Sequence, residues 1–246
     1  MPTLHQVLRT KMRLFLFQLG MHPFTGVPVP GYLVQQGRYN ILIDTGFAPL
    51  IPPFRYGPRR FRVTPEDHIL ARLGSVGIAA QDIHYVVCSH FDPDHCGAND
   101  SFPNARFIVQ RAQYEIARSG SYSRFEVQRK HWDVPSLVYE RITADVELLP
   151  GLELIETSGH VPGHQSVLVR LDKQGPTLLT IDAITAAPQN EAAFRRRHEY
   201  NMDPERADIS ARKLRNIIAT DQVELVIYGH DAIQWPGLRK APEYYE

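Results

Sequence analysis

The segment Ser89-His90-Phe91-Asp92-Pro93-Asp94-His95-Cys96-Gly97 places two imidazoles and two carboxylates within six residues. On a loop, such side chains can turn inward together around an ion. Their nitrogen and oxygen donors suit zinc, iron, manganese or cobalt. A polar surface loop with helix-capping aspartates is the plainer reading, because short motifs recur by chance. Three further segments shift the balance. Thr157-Ser158-Gly159-His160-Val161-Pro162-Gly163-His164-Gln165-Ser166 sets histidines among glycines, which let the backbone turn sharply beside an ion. Leu178-Leu179-Thr180-Ile181-Asp182-Ala183 is an apolar strand delivering one carboxylate. Leu225-Val226-Ile227-Tyr228-Gly229-His230-Asp231 delivers one imidazole in the same way. A lone strand-end His or Asp is more often a structural hydrogen-bonding group. For all these places to be structural, each would have to be so independently.

These residues need elements that hold them. Met12 to Gln18, Gly31 to Gln35 and Tyr39 to Asp44 read as strands, rich in aliphatic and aromatic residues between Gly and Pro. Pro65 to Val76 reads as a helix, with Thr64 as N-cap, Pro65 at the first position and an Ile69, Leu70, Leu73 stripe. Strands follow at His84 to Cys88 and Arg106 to Val109, then a helix at Ala112 to Arg118. Leu152 to Thr157, Ser166 to Leu171 and Pro176 to Asp182 are three more strands. Pro204 to Ala219 is a helix with Ile209, Leu214, Ile217 and Ile218 on its apolar side, and Val223 to Tyr228 is the last strand. His90, His160, Asp182 and His230 each come just after an apolar strand. Strand ends gathered on one sheet edge are where a rigid scaffold carries chemistry. Early hairpin-like strands followed by strand–helix alternation predict an α/β chain of two sheets covered by helices.

Composition narrows the function classes. The 246 residues carry 27 Lys+Arg against 27 Asp+Glu, a balance unlike the basic excess of a nucleic-acid binder. Apolar residues at 43% supply a core, and no linker or repeat is visible, so one domain over 1–246 is expected. No apolar run approaches the roughly 20 residues of a membrane span. Leu14 to Phe17, after Arg9, Lys11 and Arg13, is too short for a signal-peptide core and reads as strand. Two cysteines, Cys88 and Cys96, make no disulfide framework, so a cytoplasmic protein is expected.

The order and spacing of these motifs resemble the metallo-β-lactamase superfamily, and within it the N-acyl homoserine lactonases, the quorum-quenching enzymes. The resemblance spans nearly the whole chain. It rests on Tyr39-Asn40-Ile41-Leu42-Ile43-Asp44-Thr45-Gly46, the Ser89 to Gly97 run, Ile108-Val109-Gln110-Arg111, the paired Gly-His turns before Gln165-Ser166, Leu179 to Ala183, and Gly229-His230-Asp231. It implies an αββα sandwich of two mixed sheets flanked by helices. It implies a dinuclear site for two divalent ions, zinc first, with iron or manganese an option beside Asp92. His90 and His160 match ligands of the first metal, Asp94, His95 and His230 those of the second, and Asp182 the bridging carboxylate. Asp44 and His164 fall in the shell behind the ligands. The implied activity is opening of a lactone or similar ester by a metal-bridging hydroxide, with Asp94 also serving as the catalytic proton carrier. The substrate would be a small molecule, with neither nucleic acid nor membrane as partner.

Two positions depart from the family pattern. Asp92 stands where the family has a His ligand; a carboxylate there either ligates, making the first site more anionic, or falls short and weakens it. Ligation is the expectation, since an unpaired buried carboxylate is costly. Thr185 stands where some lactonases have a Tyr that contacts the lactone carbonyl, so another donor or the metal alone must serve. Other readings stay open. A glyoxalase II-like thioesterase uses the same scaffold, and Asp92 could instead mark a di-iron or binding protein. Cys96 is expected to pack rather than react. Phe54, Tyr56 and Phe61 suit either a cleft wall or a loop anchor. Arg195-Arg196-Arg197 reads as a solvated loop. Tyr122 to Trp132, aromatic and basic, suits a lid or a homodimer contact.

Overall fold

Large apolar side chains on both faces of the first strand set the architecture. The computed structural model describes residues 11–48, 61–188 and 199–246. In β1 (Met12–Met21), Leu14 and Leu16 point to one side while Phe15 and Phe17 point to the other, and all four are buried. A strand apolar on both faces must be covered twice. β1 pairs antiparallel with β2 (Pro28–Gln36), and β2 with β3 (Tyr39–Ile43). Parallel pairing continues through β4 (Tyr85–Val87), β5 (Arg106–Gln110) and β6 (Val138–Ile142), closing a six-stranded sheet in sequence order. A second sheet runs β11-β10-β9-β8-β7, from β7 (Val146–Leu149), β8 (Leu152–Glu156), β9 (Gln165–Leu171), β10 (Gly175–Ile181) and β11 (Leu225–Tyr228). Its pairs are antiparallel except β10 with β11.

Three apolar clusters show the layers. Between the sheets, Leu14, Leu16, Val34, Ile41, Val87 and Ile108 meet Leu152, Leu154, Val167, Val169, Leu179 and Ile227. The outer face of the first sheet, with Phe15, Phe17, Leu42, Val86 and Phe107, packs on Leu73, Phe125 and Trp132. Those come from α1 (Ile69–Gly74), α4 (Ser123–Glu126) and α5 (Arg129–Trp132). The short α2 (Pro93–Cys96) and α3 (Arg111–Arg118) lie between them in the chain. The outer face of the second sheet, Ile155, Leu168 and Leu178, packs on Leu214, Ile217 and Ile218 of α6 (Pro204–Thr220). The layer order is helix, sheet, sheet, helix, as expected.

Some local expectations are corrected. The Pro65 to Val76 helix is interrupted: Pro65–Asp67 forms a 3-10 turn, His68 is extended, and α1 starts only at Ile69. The Thr64 amide and hydroxyl both donate to Asp67 Oδ2 at 3.0 Å, and Arg72 bonds Oδ1 at 2.6 Å, which fixes the tight turn. Of the expected apolar side of α6, Leu214, Ile217 and Ile218 face the sheet, but Ile209 is 50% exposed, and Ala207 and Ser210 are buried as well. Strands β6 and β7 were not expected. Each is the edge of its sheet, and edge strands carry polar residues such as Glu140, Arg141 and Glu147 that hide the alternation. Phe54, Tyr56 and Arg195-Arg196-Arg197 lie outside the described residues. Among the described residues, no helix is long and apolar enough to cross a membrane.

Candidate metal centre

The singled-out residues come together at the ends of β3, β4, β8, β10 and β11 and the loops that follow. His90 stands three residues past β4, Asp92 caps α2, and Asp94 and His95 lie within that helix. His160 follows β8, Asp182 follows β10 directly, and His230 is two residues past β11. His90, Asp92 and His160 offer ligand atoms within 4.8 Å of one another, as do Asp94, His95 and His230. Asp182 lies between the groups: its Oδ1 is 3.0 Å from His230 Nε2 and 3.6 Å from His95 Nε2, and its Oδ2 is 3.4 Å from His160 Nε2.

Local backbone geometry aims Asp182 and His230. Ile181 has φ of 50°, a left-handed conformation that costs a β-branched residue about 1–3 kcal/mol and turns the chain just before Asp182. Gly229 permits that turn, since a Cβ there would lie 2.1 Å from the Ile181 carbonyl oxygen.

The surrounding groups orient each ring. Asp44 Oδ2 is 2.8 Å from His95 Nδ1, and the same carboxylate accepts from the Ser89 amide at 2.8 Å and hydroxyl at 2.6 Å. Pro28 O accepts from His230 Nδ1 at 2.8 Å. With both Nδ1 atoms turned to these acceptors, the Nε2 atoms of His95 and His230 face inward, free to ligate once any proton there has left. His164 is fully buried and accepts from the Asp182 amide through Nε2 at 3.2 Å, while Nδ1 meets Thr157 Oγ1 at 2.8 Å. Both its ring nitrogens are engaged away from the donor groups, so it positions Asp182. Thr185 contributes its backbone carbonyl, which accepts from the His230 amide at 2.8 Å, and its side chain lines the adjoining cleft.

Do these residues fit metal ions? His90 Nε2, His95 Nε2 and Asp182 Oδ1 are buried without a hydrogen-bond partner, and they lie together. Buried polar atoms are almost always satisfied. Three orphans converging from the segments after β4 and β10, all of ligating type, fit a cation there.

Electrostatics agree. Burial alone would raise Asp182, yet His230, His95 and His160 hold it well below the usual carboxylate range. Burial opposes ionisation of Asp92 too, but His160, His90 and Arg124 keep it well below that range. Burial works against protonation of His95, yet Asp94, Asp44 and Asp182 push it up to about 10; likewise Asp182 and Asp94 push buried His230 up to about 9. A field that holds protons on these rings is one that attracts cations. His164, by contrast, is pushed well below its ordinary value by burial and by His90 and His160, so it stays neutral.

Arg124 was not singled out from sequence. It projects from α4, inside the basic and aromatic stretch Tyr122 to Trp132, and pairs with both oxygens of Asp92 through one guanidinium edge: Nε to Oδ1 at 2.7 Å, and Nη2 to Oδ2. Of its aromatic members, Tyr122 is exposed, while Phe125 and Trp132 are fully buried, with Trp132 stacked on Phe91 at 4.5 Å. They anchor the segment in the core. Asn201, which meets His160 Nδ1 at 3.2 Å, carried no signal in the sequence. A cleft of about 170 Å³ opens over the donors, with Val27 and Phe61 apolar and Arg124, Tyr200 and Asn201 polar. Phe61 both lines this cleft and packs on Phe47, at 5.7 Å.

The family model of the metallo-beta-lactamase superfamily matches residues 24–230. An N-acyl homoserine lactonase from a Bacillus species is 36% identical over 228 residues, covering 89% of this chain and 87% of the relative. The N-acyl homoserine lactonase AttM of Azorhizobium caulinodans is 37% identical over 240 residues, covering 89% and 88%. A solved N-acyl homoserine lactone hydrolase, with the product N-hexanoyl-L-homoserine bound at its catalytic metal centre, superposes with a TM-score of 0.81 at 30% identity, covering 96% and 99%.

Proposed function

The chain belongs to the metallo-beta-lactamase superfamily and, within it, to the N-acyl homoserine lactonase group; from that membership we propose that it is a metal-dependent hydrolase opening the lactone ring of N-acyl homoserine lactones. The observation that carries the reading is the convergence of seven donor residues, His90, Asp92, Asp94, His95, His160, Asp182 and His230, at one edge of the two-sheet sandwich beneath a cleft. Imidazole nitrogen mixed with carboxylate oxygen favours zinc, with iron or manganese as options where Asp92 enters. Divalent ions held by these residues supply Lewis acidity, polarising an ester carbonyl and bringing the pKa of water near neutral.

The chain's own groups do the rest. Asp94, with its side chain 19% exposed at the cleft, can take a proton from the attacking water and return it to the departing ring oxygen. The balance is one water added: hydroxyl to the acyl carbon, proton to the alkoxide, with the ring C–O bond broken. Val27 and Phe61 offer an apolar surface to an acyl chain. Tyr200, Asn201 and Thr185 line the same cleft and bring polar groups to a lactone there. Cytoplasmic residence and a single hydrolase domain belong to the same reading, supported by two buried free thiols, Cys88 and Cys96, and by the core shared between the two sheets. The test is proton release on ring opening of N-hexanoyl homoserine lactone, run beside a thioester of the same chain length. Preference for the lactone is expected; turnover of the thioester alone would move the protein to a thioesterase.

A further inference from the structure

The two donor groups are not equivalent. In the second, the Nδ1 atoms of His95 and His230 face Asp44 and a backbone carbonyl, so both Nε2 atoms point inward with Asp182 Oδ1 beside them. Among the described residues, no Lys or Arg forms an ion pair with Asp94 or Asp182. In the first group, a guanidinium already sits among the donors. Arg124 holds both oxygens of Asp92, and its Nη2 is also 3.1 Å from His160 Nε2. With Asn201 Oδ1 accepting from His160 Nδ1, the His160 lone pair faces that N–H. The same Asp92 oxygen lies 3.0 Å from His160 Nε2 and 3.4 Å from His90 Nε2, so the arginine engages the corner where the three donors meet.

Charge accounts for the pairing. Asp92 replaces a neutral His of the family pattern and adds one negative charge. Arg124 cancels it with one positive charge, through a bidentate, charge-assisted contact. The guanidinium is held from behind by its bond to the Tyr200 carbonyl at 3.2 Å and by the buried Phe125 next to it in α4. Its side chain is still 27% exposed, on the cleft side, so it can swing away without unfolding the core.

We propose that Arg124 competes with the first metal ion for Asp92 and His160, so that the chain binds one divalent ion tightly at Asp94, His95, Asp182 and His230 and a second only weakly. This rests on the metal-hydrolase reading of the site. The opposite arrangement, with Arg124 buttressing an Asp92 that ligates, predicts the reverse response to its removal.

The experiment titrates chelator-stripped protein with zinc alone and with cobalt(II) alone, reading stoichiometry by elemental analysis and cobalt coordination by visible absorption. The wild type should take up one tight equivalent, with a clearly weaker second. Arg124→Gln should tighten the second by about ten- to a hundredfold, the range for removing a charge-assisted contact, and leave the first unchanged. Asp92→His with Arg124→Gln should bind two equivalents comparably. Two equally tight ions in the wild type, or a weaker second ion in Arg124→Gln, would overturn the proposal while leaving the hydrolase reading intact. The wild-type titration decides even if a variant folds poorly. Uptake of no ion at all would overturn both.

Discussion

Asp44 reaches three groups at once, the Ser89 amide, the Ser89 hydroxyl and His95 Nδ1. It fixes the tautomer of His95 without touching an ion. Asp44→Asn keeps the shape but removes the charge, and we expect metal affinity to fall roughly 10–100-fold with the fold retained, measured by competition with a chelating dye. An unchanged affinity would show that His95 needs no such support. Protons supply a second expectation at this scale. His95 and His230 are pushed up to about 10 and about 9, so both carry protons at pH 8 before an ion binds. Ligation needs the lone pair, so binding releases protons and affinity climbs with pH until those values are passed. Calorimetry in two buffers of different ionisation heat should record release of about one proton or more per tight ion. No release would contradict the field assigned to Asp94, Asp44 and Asp182.

The elements make that residue geometry repeatable. Strand ends were legible because apolar runs stop abruptly at polar residues: Ile181 before Asp182, Tyr228 and Gly229 before His230. The edge strands β6 and β7 were not, because their solvent-facing polar residues break up the long apolar runs that mark β9 and β10. Arg124 was hidden for a different reason. Its partner Asp92 lies 32 residues away, and only the packing of α4 and α5 brings them together. That packing turns on Trp132, fully buried, stacked on Phe91, with its indole N–H on the Phe125 carbonyl at 3.1 Å. Trp132→Ala should cost about 3–5 kcal/mol of stability in denaturant unfolding, and should loosen the Asp92–Arg124 contact with it. A cost within the roughly 0.5 kcal/mol of an ordinary surface change would mean the segment is not anchored there.

At the scale of the whole molecule, the balanced charge of 27 against 27 hides a strongly uneven interior. Asp44, Asp92, Asp94 and Asp182 gather at one edge of the sandwich, among five of the eleven histidines. The cluster was visible as motifs, yet its division into two unequal donor groups depends on contacts between segments far apart in sequence. With no net charge to steer a neutral lactone, kcat/KM should stay flat from about 0.05 to about 0.5 M salt, across which exposed charges become screened. A steep decline would point to a charged substrate instead. The central claim is that these seven donors make a metal-dependent lactone hydrolase. The direct measurement is lactone ring opening by chelator-stripped protein as zinc is added back. The rate should rise from background and saturate with metal content, and it should fail to do so in His95→Ala. A folded, zinc-loaded wild type that opens no acyl homoserine lactone, or a stripped protein as fast as the loaded one, would contradict it.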